Sequence, residues 1–495
     1  MNKLNKHFLT NNKISNEIKH GSLNKREEKI LQFGEGNFLR AFIEFFVDEL
    51  NEKNLFNGNI VVIQPIPTGL ASEINAQDGL YTVVLRGLEN GSEIVQKRLI
   101  TSISRAIDPF VNFDDYIKTM DNPHLRFIIS NTTEAGISYI KTAKPLENAT
   151  QPPASFPAKI ANLLYTRYNR FDGATDKGFI FIPCELIDDN GAKLKEIVLR
   201  HATDWQLPQA FINWIKTYNY FTNTLVDRIV TGYPKDEVEY FENSLGYKDN
   251  LITTGELFHF FAIEASDETA KEINETLPFY KANLNIITTN DVKPYKLRKV
   301  RILNGAHTMS VLAAFLCGKE TVGEMIEDEL FKAFIKKGIY REIIPSLLGE
   351  LNEEDLLHFA DSVFDRFANP YIKHYLLSIA LNSVSKFKAR VLPSILDYYK
   401  KNKTYPKVLT LSFAALLAFY KGNNANDEAH ILNFFKAEWA NNNINTLVKD
   451  TLAKSDFWGQ DLNEFEGFCN EITTNLQNIL ANGIENEIRA VIIDE

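Results

Sequence analysis

Lys29-Ile30-Leu31-Gln32-Phe33-Gly34-Glu35-Gly36-Asn37-Phe38-Leu39-Arg40 is the stretch on which the fold turns. Residues 29–33 form a short apolar run, the pattern of a buried strand. The run meets two glycines. Beyond them Phe38, Phe42, Phe45 and Phe46 recur at helical spacing, which puts Asp48 and Glu49 on the opposite, solvent side. A second strand pattern follows at Ile60-Val61-Val62-Ile63-Gln64. Strand, glycine turn, helix and strand make the unit that presents backbone N–H groups and a helix N-terminus to a pyrophosphate. The fingerprint is incomplete. Leu39 holds the third glycine position, and Gln64, followed by Pro65, stands where an acid would bind a ribose hydroxyl. This turn alone suits a dinucleotide and an ordinary βα connection equally well.

Further strand patterns lie at 80–86, 98–104, 127–130, 178–185 and 284–289. The strand at 127–130 runs into Asn131-Thr132-Thr133-Glu134-Ala135-Gly136, small polar residues that suit a ligand loop at the carboxyl edge of an open sheet or a capped turn. An Asp227-Arg228 pair sits within the apolar run 223–231 and by itself reads as a structural ion pair. From about residue 293 the period becomes helical, over 321–337, 353–367, 370–390, 406–420, 427–440 and 461–481. Residues 1–27 are polar and read as a lead-in. The fold class is therefore an α/β N-terminal Rossmann-type domain, residues 1–290, followed by an all-α C-terminal domain, residues 291–495. Ligands favour clefts between such domains.

At the junction stands Lys293-Pro294-Tyr295-Lys296-Leu297-Arg298-Lys299-Val300-Arg301-Ile302-Leu303-Asn304-Gly305-Ala306-His307. With an α-helical advance of ~100° per residue, His307 falls roughly 80° and Asn304 roughly 140° from Lys299. An amine, an amide and an imidazole on one broad face suit proton transfer at a carbonyl or hydroxyl oxygen. The cations Lys296, Arg298 and Arg301 are expected to favour a neutral Lys299. The plainer alternative is a solvated lysine and a core histidine.

With 495 residues the chain is too long for one ordinary domain. Its 64 acidic and 54 basic residues give a net charge of −10, which argues against a general nucleic-acid surface. Cys184, Cys317 and Cys469 are far apart, with no metal-ligand spacing, as expected of a reducing cytoplasm. No apolar run approaches the ~20 residues of a membrane span, and the N-terminus has no signal-peptide pattern. The oligomeric state is left open by the sequence.

Lys299-x4-Asn304-x2-His307 resembles the catalytic signature of the polyol-specific long-chain dehydrogenases, the mannitol dehydrogenase family. Phe33-Gly34-x-Gly36-Asn37-Phe38-x-Arg40 resembles that family's cofactor loop. Thr133-Glu134-x-Gly136 is similar to its second cofactor segment, and Val226-Asp227-Arg228-Ile229 to a third family stretch. The longer runs 31–42, 130–139, 182–186, 224–234, 304–308 and 369–381 are similar to members that reduce keto sugar acids. The resemblance implies a metal-independent enzyme, reversibly reducing a small sugar-acid substrate with NADH. Another keto-uronate, or a polyol such as mannitol, stays open as the substrate. It implies Lys299 as general acid/base with Asn304 and His307 beside it. Phe33, Gly34, Gly36, Asn37, Phe38, Arg40, Gln64, Thr133 and Glu134 would bind cofactor. Asp227, Arg228, Lys373, His374 and Lys386 would face substrate, with a lysine meeting its carboxylate. Lys386 and Asn382 share a face if 370–390 is one helix. Three departures stand out. Leu186 replaces an amide that would assist Asn304, Ser378 and Asn382 replace an arginine and an aspartate, and Gln64 replaces the cofactor-selecting acid. No arginine follows Gln64 to meet a 2′-phosphate, so NAD is the expected cofactor.

Overall fold

The structure, a computed structural model, describes residues 2–133, 135–145, 149–349 and 351–493. It divides into two compact units, Met1–Arg86 with Glu93–Val292, and Gly87–Ser92 with Lys293–Glu495. No helix among the described residues is long and apolar enough to cross a membrane.

The first unit is built on six parallel strands: β1 (Glu28–Phe33), β2 (Asn59–Ile63), β3 (Ile103–Ile107), β4 (Phe127–Ser130), β5 (Ile180–Pro183) and β6 (Tyr220–Phe221). Their order is β3-β2-β1-β4-β5-β6, the doubly wound arrangement in which the chain reverses direction beside β1. The apolar runs are continuous because both faces are covered. Leu31, Phe33, Val61, Ile63, Ile128 and Phe181 point into one core, with helices Phe156–Arg170, Asn190–Asp204 and Gln209–Tyr218. Their neighbours Ile30, Ile60, Val62, Ile129 and Ile182 point into the other, with helix Ile43–Glu52. Alternation along a strand thus serves two apolar layers.

A second sheet runs in the order Ile18–His20, Ser92–Ile100, Tyr81–Glu89, Thr253–Gly255, Val230–Gly232. It corrects two expectations. The lead-in carries a strand, Ile18–His20, parallel to 97–99. The run 98–104 is the end of one strand and the start of β3, because Thr101 and Ser102 turn the chain from one sheet to the other. The apolar run 223–231 forms two strands, Asn223–Asp227 and Val230–Gly232, in different sheets. Asp48 is also not on a solvent face. It is fully buried, accepting from Arg98 Nη1 at 2.6 Å and from the Thr101 N–H and hydroxyl at 2.7 Å. Removing one partner of such a pair costs about 3–5 kcal/mol.

The second unit is largely helical. Helices Glu353–Phe367 and Lys407–Phe419 follow the sequence pattern closely. The run 321–337 is two helices, because Asp328 leaves helical geometry to cap Glu329–Lys337 through the Leu330 N–H at 3.0 Å. The run 370–390 is not one helix. Leu376–Ile379 is a single turn, Asn382 has a left-handed φ of 53°, and Ser383–Arg390 starts after it. Asn382 is therefore outside the helix that carries Lys386.

Candidate functional site

The segment that carries Lys299, Asn304 and His307 is not one continuous α-helix. Helices Lys293–Arg298 and Gly305–Leu316 flank a π-helical turn, Lys299–Asn304. A π turn closes i→i+5 and advances roughly 80° per residue, so Asn304 moves to within about 40° of Lys299. Three α-helical steps then bring His307 to within about 20° of Lys299, on its other side. The even α-helical spacing assumed from sequence is thus corrected: the wide turn narrows the fan of three groups from ~140° to ~60°, with the lysine between the other two. Such π turns concentrate at functional sites.

Two of the expected neighbouring cations have other duties. Arg301 is buried and donates to Ser394 at 2.6 Å, Ser346 at 3.1 Å and Asp397 at 3.0 Å. The Arg298 guanidinium lies 4.5 Å from the Phe359 ring centroid and 5.4 Å from that of Tyr295. Lys299 and Asn304 are half-buried.

His307 stacks on Phe367 at 4.1 Å and meets His374 edge-on at 5.3 Å. Burial, reinforced by His374, Arg366 and Arg390, holds its imidazole pKa well below 6.5. The ring is neutral at physiological pH, and its buried Nε2 has no partner among the described residues. Arg390, which the sequence reading missed, donates to Thr308 at 3.4 Å, next to His307 on the chain. Its only sequence signal is its place four residues after Lys386. Lys386 is half-buried and donates to the Ile379 carbonyl at 2.8 Å. Burial and then Arg390 lower its pKa. Lys373 is exposed and drawn to the Tyr375 ring, 5.2 Å away. The second unit therefore groups His307, His374, Lys386 and Arg390, a set rich in cationic and imidazole groups.

The glycine loop of the first unit fits a dinucleotide. Gly34 has φ +111°, and a Cβ there would lie 3.2 Å from the Asn131 carbonyl oxygen. Gly36 is exposed with nothing within 4 Å of a Cβ, so a ligand can approach its backbone. The helix after the loop is only one turn, Asn37–Arg40, before a break at Phe42. A long helix dipole is thus not what the loop offers. Arg40 offers a charge instead. It is 2% exposed, its Nη2 donates to Asn37, and its Nε and Nη1 have no partner among the described residues. A diphosphate suits those donors.

The other expected cofactor residues differ in role. Asn37 and Thr133 are exposed, and the Phe38 ring stacks on Phe42 at 4.8 Å. Phe33 is fully buried, its ring against Phe156 and its carbonyl accepting from the Asn131 N–H at 3.2 Å, so it shapes the loop from beneath. Glu134 lies outside the described residues. Glu185, which the sequence reading did not single out, organises this edge. Its buried carboxylate accepts from Ser130 at 3.1 Å and from the Thr132 N–H at 2.9 Å. Leu186 beside it is 68% exposed. Arg228 has a structural role: it donates to the carbonyls of Ala41 at 2.6 Å, Leu257 at 3.1 Å and Phe258 at 3.1 Å. Burial lowers its pKa to about 9. Asp227 is buried beside it at the end of its strand.

The relatives of this chain share both halves. Residues 28–275 match the mannitol dehydrogenase Rossmann domain and residues 291–480 the mannitol dehydrogenase C-terminal domain. An altronate oxidoreductase of Escherichia coli O7:K1 (strain IAI39 / ExPEC) is 46% identical over 487 residues, 94% of this chain and 99% of the relative. One of Shigella flexneri matches to the same extent. Among solved structures, a D-sorbitol dehydrogenase in substrate-free form has a TM-score of 0.80 at 20% identity, covering 98% of this chain and 100% of the other. The Pseudomonas fluorescens mannitol 2-dehydrogenase ternary complex with NAD and D-mannitol has a TM-score of 0.67 at 20% identity and covers both chains fully. A doubly wound parallel sheet followed by a largely helical unit agrees with these matches: the chain belongs to the mannitol dehydrogenase family.

Proposed function

We propose that this protein is an NADH-dependent oxidoreductase that converts D-tagaturonate to D-altronate, reversibly. The observation that carries the reading is the 46% identity to altronate oxidoreductases over 94% of this chain and 99% of theirs. The side chains described above give it a chemistry.

When bound, NADH supplies the hydride that reduces the keto carbon. Gly34 and Gly36 let the backbone approach the dinucleotide, and Arg40 neutralises its diphosphate. Lys299 gives a proton to the carbonyl oxygen as charge gathers there, and in the oxidation direction its neutral amine takes that proton back. The Asn304 amide donates to the same oxygen. His307 stays neutral, and its unpartnered Nε2 is the group available to a substrate hydroxyl once the pocket admits one. Lys386, Arg390 and His374 meet the carboxylate that a sugar acid has and a polyol lacks. Lys373, turned to Tyr375, has at most a secondary part.

NADH oxidation followed at 340 nm with tagaturonate, fructuronate and fructose tests the proposal. Turnover fastest on tagaturonate supports it. Faster turnover on fructuronate or fructose replaces the substrate, and no turnover on any of the three removes the reading.

A further inference from the structure

The residue at the end of β2 cannot select the cofactor, because all its polar atoms are in use. Gln64 is 3% exposed. Its Nε2 donates to the Ile66 carbonyl at 3.0 Å and to Asp108 Oδ2 at 3.1 Å, and its Oε1 accepts from the Ala71 N–H at 3.3 Å. Both amide hydrogens and the amide oxygen are occupied by protein.

The side chain that Gln64 holds is a carboxylate. In the parallel pairing of β2 and β3, Ile63 stands opposite Ile107, and the Gln64 N–H donates to the Ile107 carbonyl at 2.9 Å. Continuing that register puts Asp108 opposite Gln64, level with the expected acid but one strand further out. Asp108 Oδ1 accepts from the Phe110 N–H at 2.9 Å, so both carboxylate oxygens are fixed while each keeps a lone pair. The side chain is half-exposed.

A cavity of about 670 Å³ opens beside these groups, bordered by Gln64, Thr68, Gly69, Ser72, Asp108 and Asn112. Gly69 is pressed against its neighbours. A Cβ there would lie 2.0 Å from Glu35 Oε1 and 2.7 Å from Gln64. The cavity thus adjoins the glycine loop through Glu35, whose carboxyl pKa burial raises, with a further push from Asp108. The cation on its wall, Arg105, is bound by Glu28 through Nε at 2.9 Å and Nη2 at 3.1 Å. The other charged groups there are Asp108 and Asp115. The cavity suits a neutral diol and opposes a dianion.

We propose that Asp108, displaced by one strand from the usual acid position and held by Gln64, accepts from the adenosine ribose hydroxyls and sets NADH above NADPH. This inference rests on the dehydrogenase reading above. A ribose 2′-hydroxyl donates to the carboxylate, whereas a 2′-phosphate brings about two negative charges against it. Gln64 is a positioning residue that aims the carboxylate.

The test is calorimetric titration of the full-length wild type, Asp108→Asn and Asp108→Ser with NADH and NADPH, with melting temperatures recorded for each. The wild type is expected to bind NADH at least 100-fold more tightly. In both variants that preference should shrink at least tenfold, chiefly through tighter NADPH binding, a gain that loss of structure does not give. The serine variant covers the case in which asparagine misorders Gln64. An unchanged preference in both variants at unchanged melting temperature overturns the inference and leaves the dehydrogenase reading standing. A wild type that binds NADPH as well as NADH overturns it too. A wild type that binds neither overturns both.

Discussion

Replacing Glu342 by glutamine should stabilise the helical unit by about 3 kcal/mol at pH 8 and by under about 1 kcal/mol at pH 5. Glu342 lies on a second π turn, Gly338–Ile343, and is 4% exposed. Its carboxylate accepts from the N–H groups of Val408 at 2.8 Å and Leu409 at 2.9 Å, at the start of helix Lys407–Phe419. That helix packs on Gly305–Leu316, which carries His307. Burial is the largest influence on the carboxyl, and it outweighs the two cap bonds, raising the pKa from 4.5 to about 7. Between those values the folded chain keeps a proton that the unfolded chain has released. Stability therefore falls as pH rises, by about 1.4 kcal/mol per pH unit, and levels off above the folded pKa. The loss integrates to about 3 kcal/mol by pH 8. A protonated Glu342 and a glutamine satisfy the cap alike, with one acceptor oxygen each, so the variant matches wild type at low pH. Urea unfolding followed by ellipticity at 222 nm, at pH 5, 6, 7 and 8, gives the difference directly. A glutamine variant less stable than wild type at pH 8 would refute the reasoning, since the cap bonds would then outweigh the burial of the charge.

Two further outcomes concern the site. Asn304→Ala should lower kcat by roughly 10²–10³ with little change in KM, because Leu186, 68% exposed, brings no second amide to the oxygen. A loss under tenfold in steady-state assays would show that another donor carries that charge. Lys386→Met should raise KM for a keto-uronate by roughly 10–100-fold and leave KM for fructose unchanged, since only the former has a carboxylate to lose a partner. Equal effects on both substrates would show that Lys386 acts through structure, by way of its bond to the Ile379 carbonyl.

The parallel sheet was legible because β1, β2 and β4 are short β-branched or aromatic runs, with a glycine at the carboxyl end of β1, Gln64-Pro65 after β2 and small polar residues after β4. The long helices were legible where one face alternates regularly, as in Glu353–Phe367. The second sheet was not, because Ile18–His20 is defined only by pairing with 97–99, some eighty residues away. Asp48 looked solvent-facing because nothing in its own helix shows that Arg98 and Thr101 will cover it. The spacing of Lys299, Asn304 and His307 was readable, but the backbone that carries them was not. No residue type in Lys299–Asn304 marks an i→i+5 turn, and that turn alone sets how closely the three groups gather. Arg228 and Gln64 were found by position in a motif, whereas their duties follow from which carbonyls and carboxylates surround them.

The most direct test of the account is NAD reduction with D-altronate by wild type and Lys299→Ala, with NADH binding measured on both. The account predicts turnover by the wild type, a fall of roughly 10²–10⁴ in kcat for the variant, and unchanged NADH affinity. Near-normal turnover by Lys299→Ala, or a wild type that binds NAD and leaves altronate untouched, would contradict it.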